Sequence, residues 1–139
     1  MLWHASVYQG CILVVEDDTP TREVLRDALL EAGYDVIAAE HGADALGVID
    51  DTRTPDLILL DLNMPHIDGR SFIDCLRARP ESLDTPVIVV TGTPNAPLAR
   101  DGGPVRVVAK PFDMNTLLAV IRLVAPSRST TSTCAVSTG

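Results

Sequence analysis

In the stretch "DLILLDLNMPHIDG", residues 56–69, an apolar run ends in an aspartate, and a proline and a glycine follow. A short, uninterrupted apolar run such as residues 57–60 is typical of a strand buried on both faces of a parallel sheet. Asp61 stands at the end of this run, and the turn residues that follow it, up to Gly69, lead into a predicted helix. A carboxylate in that place is a reactive group if other polar side chains meet it, and an ordinary loop residue if none do.

Apolar runs recur along the chain, and the sequence predicts five strands, over residues 11–15, 35–39, 56–60, 86–90 and 105–109. Helical patterns lie between or after them, over about 19–32, 43–49, 70–78 and 113–124. Thr19 can cap the first helix, with Asp18 at the helix entry expected to help, and Asp113 is expected to cap the last. Gly33 suits the left-handed residue that ends the first. This alternation predicts right-handed crossovers and a doubly wound α/β fold with a five-stranded parallel sheet.

The interval between the fourth and fifth strands, residues 91–104, breaks the alternation. It contains three prolines and three glycines, so at most a turn or two of helix fits, and the fourth helix is expected to be short or missing. The tail from Pro126 is rich in serine and threonine and is expected to be disordered. The expected organisation is an N-terminal extension at 1–10, one domain at 11–125 and a disordered tail at 126–139.

Length and charge narrow the classes of protein. The 139 residues suffice for one domain, and the net charge of −8 with a pI near 4.6 disfavours direct binding to nucleic acid. No apolar run approaches the ~20 residues of a membrane helix, and the start lacks the features of a secretory signal. The cysteines, Cys11, Cys75 and Cys134, show neither metal-ligand spacing nor a disulfide framework, which favours a reducing compartment. We therefore expect a cytoplasmic domain that binds no membrane.

Polar residues stand at the ends of four predicted strands. The first strand is followed by Glu16 and Asp17, the third by Asp61, the fourth by Thr91 and the fifth by Lys110. In an open parallel sheet the carboxyl ends of the strands lie at one edge, and ligands bind there. We therefore expect these carboxylates, the hydroxyl and the ammonium to converge.

Converging carboxylates repel one another, and a bound divalent cation relieves that repulsion. Mg²⁺ suits such a site, because it prefers oxygen ligands and is commonly held by one or two carboxylates together with a phosphate. An aspartate beside the ion can act as a nucleophile towards phosphorus and form an acyl phosphate. Thr91 can donate a hydrogen bond to one phosphoryl oxygen, and Lys110 can pair with another. The pattern indicates phosphoryl transfer to Asp61.

Four segments, "ILVVEDD", "DLILLDLNMPHIDG", "PVIVVTG" and "VAKPF", resemble the signature segments of the receiver domain of two-component response regulators. The likeness extends from about Cys11 to Ala125, and the four segments in this order are highly specific. The resemblance implies a flavodoxin-like sheet of order 2-1-3-4-5. It also implies a signalling switch in a phosphorelay.

The resemblance implies roles for individual residues. Asp61 matches the phosphorylated aspartate, and Glu16 and Asp17 match the acidic pair that holds Mg²⁺ (or Mn²⁺) with it. Asn63 matches the position that ligates the metal through its backbone carbonyl.

Three further residues match the family pattern in the same way. Thr91 matches the switch hydroxyl, Lys110 matches the lysine of the site, and the peptide bond between Lys110 and Pro111 matches one that is usually cis in the family. The phosphoryl donor implied is a phosphohistidine on a sensor histidine kinase or a histidine phosphotransfer protein. The downstream protein effector is not indicated.

Two features depart from the family pattern, and both fall on the face that usually carries the output. Val107 stands where receivers usually have a tyrosine or phenylalanine, three residues before the lysine. The segment between Thr91 and Lys110 is shorter than usual and rich in proline and glycine. We hypothesise that partner binding depends on ordering of residues 93–104.

Three functions compete. The leading one is a switch that is phosphorylated at Asp61 and later loses the phosphoryl group by hydrolysis, without turning over a separate substrate. A receiver-like interaction module that works without phosphorylation is the alternative, and Val107 favours it slightly. A phosphatase that works through an aspartyl phosphate ranks last, because such enzymes of the dehalogenase type use a second aspartate where this chain has Asn63.

Overall fold

The computed structural model describes residues 10–52, 54–61, 69–92 and 104–124. Several sequence predictions fall outside these ranges and stay predictions. They concern the extension before Gly10, the carbonyl of Asn63, the segment 93–103 and the tail from Pro126.

Five strands and four α-helices alternate through the described residues. In chain order they are β1 (Cys11–Val15), α1 (Thr19–Glu31), β2 (Asp35–Ala39), α2 (Gly42–Asp51), β3 (Leu57–Asp61), α3 (Gly69–Arg77), β4 (Val87–Thr91), β5 (Val105–Ala109) and α4 (Met114–Val124), with a 3-10 turn at Pro80–Ser82. Each predicted strand and helix is present, and its first and last residues differ from the predicted ones by no more than two positions.

The third and fourth strands begin one residue later than their apolar runs predict. Asp56 precedes β3 and contacts Cys11 twice: its backbone N–H donates to the carbonyl of Cys11 at 2.9 Å, and its carboxylate accepts from the N–H of Cys11 at 2.8 Å. Pro86 has no N–H for the ladder and precedes β4. Both strands also end one residue later, so Asp61 and Thr91 are the last residues of their strands rather than the first residues of loops.

The sheet is entirely parallel and has the order β2-β1-β3-β4-β5. This is the order that the resemblance implies, so the fold prediction is confirmed. The three central strands are buried along their whole length, as expected of strands covered by helices on both faces.

Two apolar layers hold the helices to the sheet. Alternate residues of each central strand point to opposite faces. One face packs against α1 and α4 through a cluster that includes Leu29, Leu117 and Ile121, and the other packs against α2 and α3 through a cluster that includes Ile49 and Ile73.

The helix ends agree with the sequence prediction at Gly33, Asp113 and Asp18 and differ from it at Thr19. Gly33 follows α1 with a φ of +101°, as a left-handed terminating residue should, and Asp113 accepts from the N–H of Thr116 at 2.9 Å at the start of α4. The prediction that Thr19 caps α1 is wrong. Asp18 is the cap, and its carboxylate accepts from the N–H of Thr21 at 3.0 Å, because that oxygen lies three residues before the donor.

The cysteines differ from expectation. Cys11, buried at the start of β1, is disulfide-bonded, whereas Cys75 is a free thiol on the exposed side of α3. The spacing argument against a disulfide therefore fails for Cys11. It fails because spacing along the chain does not report which residues meet in space.

None of the helices within the described ranges has the length and apolar character needed to cross a membrane.

Leu117→Ala should destabilise the domain strongly, since Leu117 is fully buried between α4 and the sheet. We expect a loss of about 2–5 kcal/mol in the free energy of unfolding, measured by urea denaturation. Leu123→Ala, on the same helix but 77% exposed, is the matched control and should change it by no more than about 0.5 kcal/mol. Equal losses for the two variants would contradict the described packing of α4.

Candidate functional site

Four strand ends bring polar residues to one edge of the sheet. Glu16 follows β1, Asp61 ends β3, Thr91 ends β4 and Lys110 follows β5. The parallel register fixes this arrangement, with Asp61 opposite Val90 in β4. Glu16, Asp61 and Thr91 are 1%, 3% and 5% exposed, so charged and polar groups that normally face water are buried here.

Lys110 and Asp61 form a close ion pair at the centre of this edge. The Nζ of Lys110 donates to both carboxylate oxygens of Asp61, at 2.8 Å and 3.0 Å. The backbone N–H of Lys110 donates to the carbonyl of Thr91 at 2.8 Å, which ties the end of β5 to the end of β4. The Lys110–Pro111 peptide bond is cis, as the resemblance implies. Lys110 is also the only lysine in the sequence.

Glu16 lies against Asp61, and its environment disfavours its negative charge. Burial, together with the neighbouring Asp61 carboxyl, raises the pKa of Glu16 from 4.5 to about 8. One oxygen of Glu16, Oε2, accepts from the backbone N–H of Asp18 at 3.0 Å. The other, Oε1, is buried and has no hydrogen-bond partner among the described residues. The environment of Glu16 therefore favours its neutral form over its charged form when no cation is bound.

The carboxyl pair meets the requirements of an oxygen-seeking divalent cation. A buried, unpartnered carboxylate oxygen beside a second carboxylate supplies hard ligands that repel each other without an ion. Asp17, the next residue, is half-buried at the same edge. Of the predicted ligands, the described residues thus bring Glu16 and Asp61 into contact and place Asp17 beside them, while Asn63 lies outside the described ranges.

Val107, the position that departs from the family pattern, lies in β5 opposite Val89 and is 41% exposed. Its neighbour Val108 is buried against the α1 and α4 face. Because successive side chains of a strand point to opposite faces, Val107 points to the other side of the sheet. Within the described part of the chain, Val107 therefore exposes an apolar side chain to solvent on that face of the sheet.

Arg22 also belongs to this edge, and it was not predicted from the sequence. Its guanidinium donates from Nη1 to the backbone carbonyl of Glu16 at 2.8 Å. The signal available in the sequence was an arginine in the first turn of a helix, where positive charge is normally unfavourable.

Comparison with known proteins identifies the family. Residues 12–122 match the response regulator receiver domain, and the chain belongs to that family, whose members act in two-component signalling.

Individual relatives agree with this assignment. The response regulator MprA of Mycobacterium sp. (strain KMS) is 38% identical over 114 residues, which cover 80% of this chain and 48% of that protein. The chain thus spans about half the length of the curated relatives it matches. Among solved structures, the chemotaxis protein CheY4 of Vibrio cholerae has a TM-score of 0.75 at 30% identity, over 84% of this chain and 98% of that one. The response regulator TrrA of Thermotoga maritima, solved in complex with Mg²⁺ and BeF, has a TM-score of 0.70 at 29% identity, over 82% and 97%.

The raised pKa of Glu16 should make stability depend on pH when divalent cations are chelated. A carboxyl whose pKa rises on folding contributes stability that is complete below its unfolded pKa of 4.5 and is lost as pH rises through about 8. Between pH 5.5 and 8 we expect the free energy of unfolding to fall by on the order of 1–3 kcal/mol, measured by urea denaturation in EDTA. Glu16→Gln should remove most of this slope. An identical slope in both proteins would show that another group titrates.

Proposed function

We propose that the chain is a phosphoacceptor switch of a two-component phosphorelay, in which Asp61 takes a phosphoryl group from a phosphohistidine and later loses it by hydrolysis. The observation that carries the proposal is the buried Asp61 carboxylate, held at both oxygens by Lys110 and flanked by Glu16. The donor would be a sensor histidine kinase or a histidine phosphotransfer protein. The proposal concerns the receiver domain, acting in the cytoplasm on a protein effector without direct contact to nucleic acid or membrane.

The acidic edge fits Mg²⁺, with Mn²⁺ as an alternative. The carboxylates of Glu16, Asp17 and Asp61 and the backbone carbonyl of Asn63 would hold the ion. Oε1 of Glu16, which has no hydrogen-bond partner in the part of the chain that the structure describes, supports this assignment, and the relative TrrA was solved with Mg²⁺ and BeF. When bound, the ion supplies positive charge that offsets the carboxylates and the phosphoryl oxygens.

Asp61 performs the covalent step. One carboxylate oxygen attacks phosphorus, the bond from phosphorus to the histidine nitrogen breaks, and the nitrogen leaves with the electron pair. Burial of Asp61 limits access of water to the attacking oxygen. In the separate hydrolysis step a water oxygen attacks phosphorus, the Asp61 carboxylate leaves, and inorganic phosphate and a proton are released.

Lys110 and Thr91 accommodate the phosphoryl group. Once one Asp61 oxygen is bonded to phosphorus it loses its full charge, and the Nζ of Lys110 exchanges that partner for a phosphoryl oxygen. The hydroxyl of Thr91 donates to a second phosphoryl oxygen. Since the backbone of Lys110 is bonded to that of Thr91, a displacement of either residue is transmitted to the other and to β5.

The readout at the output face would take an atypical form. Val107 offers neither a ring nor a phenol that could exchange a buried for an exposed position as the phosphoryl group arrives. We propose that the information passes instead through residues 93–104, which join Thr91 to β5.

Incubation with acetyl phosphate and Mg²⁺ should add a single phosphoryl group, detected by intact-mass spectrometry. The adduct should be lost in EDTA and in Asp61→Asn, because the first removes the cation and the second the nucleophile. Asp74→Asn, an exposed aspartate of α3, is the matched control and should be modified like the wild type. A folded wild type that is modified by neither acetyl phosphate nor a phosphohistidine donor would favour the phosphorylation-independent interaction module.

Amide hydrogen exchange tests the proposed readout. With Mg²⁺ and a beryllofluoride mimic of the phosphoryl group, residues 93–103 should exchange more slowly than with Mg²⁺ alone. Asp61→Asn provides the control, since it should show no difference between the two conditions. Equal protection in the wild type would exclude this segment as the route of the signal.

A further inference from the structure

Arg22 connects the first turn of α1 to two neighbouring loops. Nη1 of Arg22 donates to the carbonyl of Glu16 at 2.8 Å, and Nη2 donates to Oγ1 of Thr19 at 3.2 Å. Nη2 also lies 3.9 Å from the carboxylate of Glu40, which follows β2. The side chain is only 16% exposed, so it is held in one place rather than extended into solvent.

The contact to Glu16 satisfies a backbone group that the sheet leaves without a strand partner. The N–H of Glu16 still belongs to the edge of the ladder, since it donates to the carbonyl of Ala39 at 3.0 Å. The strand pairing itself ends at Val15, so the carbonyl of Glu16 lies past the last paired residue. The N–H and carbonyl of Glu16 are thus fixed from two sides, by β2 and by Arg22.

The location of Arg22 is electrostatically unfavourable in two respects. A cation in the first turn of a helix opposes the helix dipole, although the carboxylates of Asp18, at the N-cap, and of Glu40 partly offset its charge. A guanidinium bonded to Glu16 also places positive charge on the residue that would bind a metal cation. By charge alone, Arg22 would weaken Mg²⁺ binding.

We propose that Arg22 is a positioning residue for the metal site, an inference that rests on the proposed function. By bonding the Glu16 carbonyl, Arg22 fixes the peptide between Glu16 and Asp17 and therefore the direction in which both carboxylates leave the backbone. A carboxylate held in place binds an ion without first being ordered. The positioning effect of Arg22 would strengthen Mg²⁺ binding, and its positive charge would weaken it. Whether the affinity falls or rises when Arg22 is replaced therefore shows which effect is larger.

The test is isothermal titration calorimetry of the full chain with MgCl₂, together with the free energy of unfolding of each protein. Arg22→Met keeps an apolar stem but removes the charge and all donors, and its Kd for Mg²⁺ should rise about tenfold. Arg22→Lys keeps the charge and one set of donors and should fall between Arg22→Met and the wild type. Arg26→Met, an exposed arginine one turn further along α1, should bind like the wild type.

A kinetic measurement separates positioning from general damage. The Mg²⁺ concentration that gives half the maximal rate of phosphorylation by acetyl phosphate should rise in Arg22→Met, while the rate at saturating Mg²⁺ should stay close to that of the wild type. A merely structural role would lower stability and leave the Mg²⁺ dependence where it is.

The outcomes distinguish failure of the role of Arg22 from failure of the proposed function. An Arg22→Met protein that binds Mg²⁺ as tightly as the wild type, or more tightly, overturns the role of Arg22 and leaves the proposed function intact. A wild type that binds no Mg²⁺ overturns both. If Arg22→Met does not fold, Arg22→Lys and Arg22→Gln are titrated in its place, and unchanged affinity in both overturns the inference.

Discussion

The ion pair between Asp61 and Lys110 is the interaction on which the site depends. A carboxylate that is 3% exposed is stable as an ion only when an opposite charge and hydrogen bonds replace water. The pair joins residues 49 positions apart in sequence, so it exists only when β3, β4 and β5 lie in their native register. Folding of the sheet and assembly of the reactive group are therefore a single event.

The environment of Glu16 shows that placing two carboxyl groups at this edge is unfavourable for the stability of the fold. The apolar strands on either side remove water from the edge, and that makes a second carboxylate beside Asp61 unfavourable as an ion. The fold offsets this only in part, through the hydrogen bond from the backbone N–H of Asp18 to one oxygen of Glu16. Local instability of the kind seen at Glu16 is expected where a protein is built to bind a charged ligand.

The sequence predicted the sheet well and the connections between side chains poorly. The buried strands β1, β3 and β4 were evident because continuous apolar runs bounded by turn residues admit few other readings. The convergence of Glu16, Asp61, Thr91 and Lys110 followed from the rule for parallel strand ends, although the individual roles came from the family resemblance. Contacts between residues that are separated in sequence could not be predicted from the sequence. Periodicity reports which face a residue occupies, not that the guanidinium of Arg22 reaches a carbonyl six residues earlier, or that Cys11 forms a disulfide.

The single lysine of the sequence has a consequence for chemistry at this site. Reagents that acylate side-chain amines find one target in the chain, and that target is the nitrogen bonded to Asp61. An ammonium held by a carboxylate is a poor nucleophile, because it must lose both its proton and its partner before it reacts. The rate at which Lys110 is labelled thus measures how often the pair opens. Chemical labelling of the single lysine therefore reports directly on the ion pair at the site.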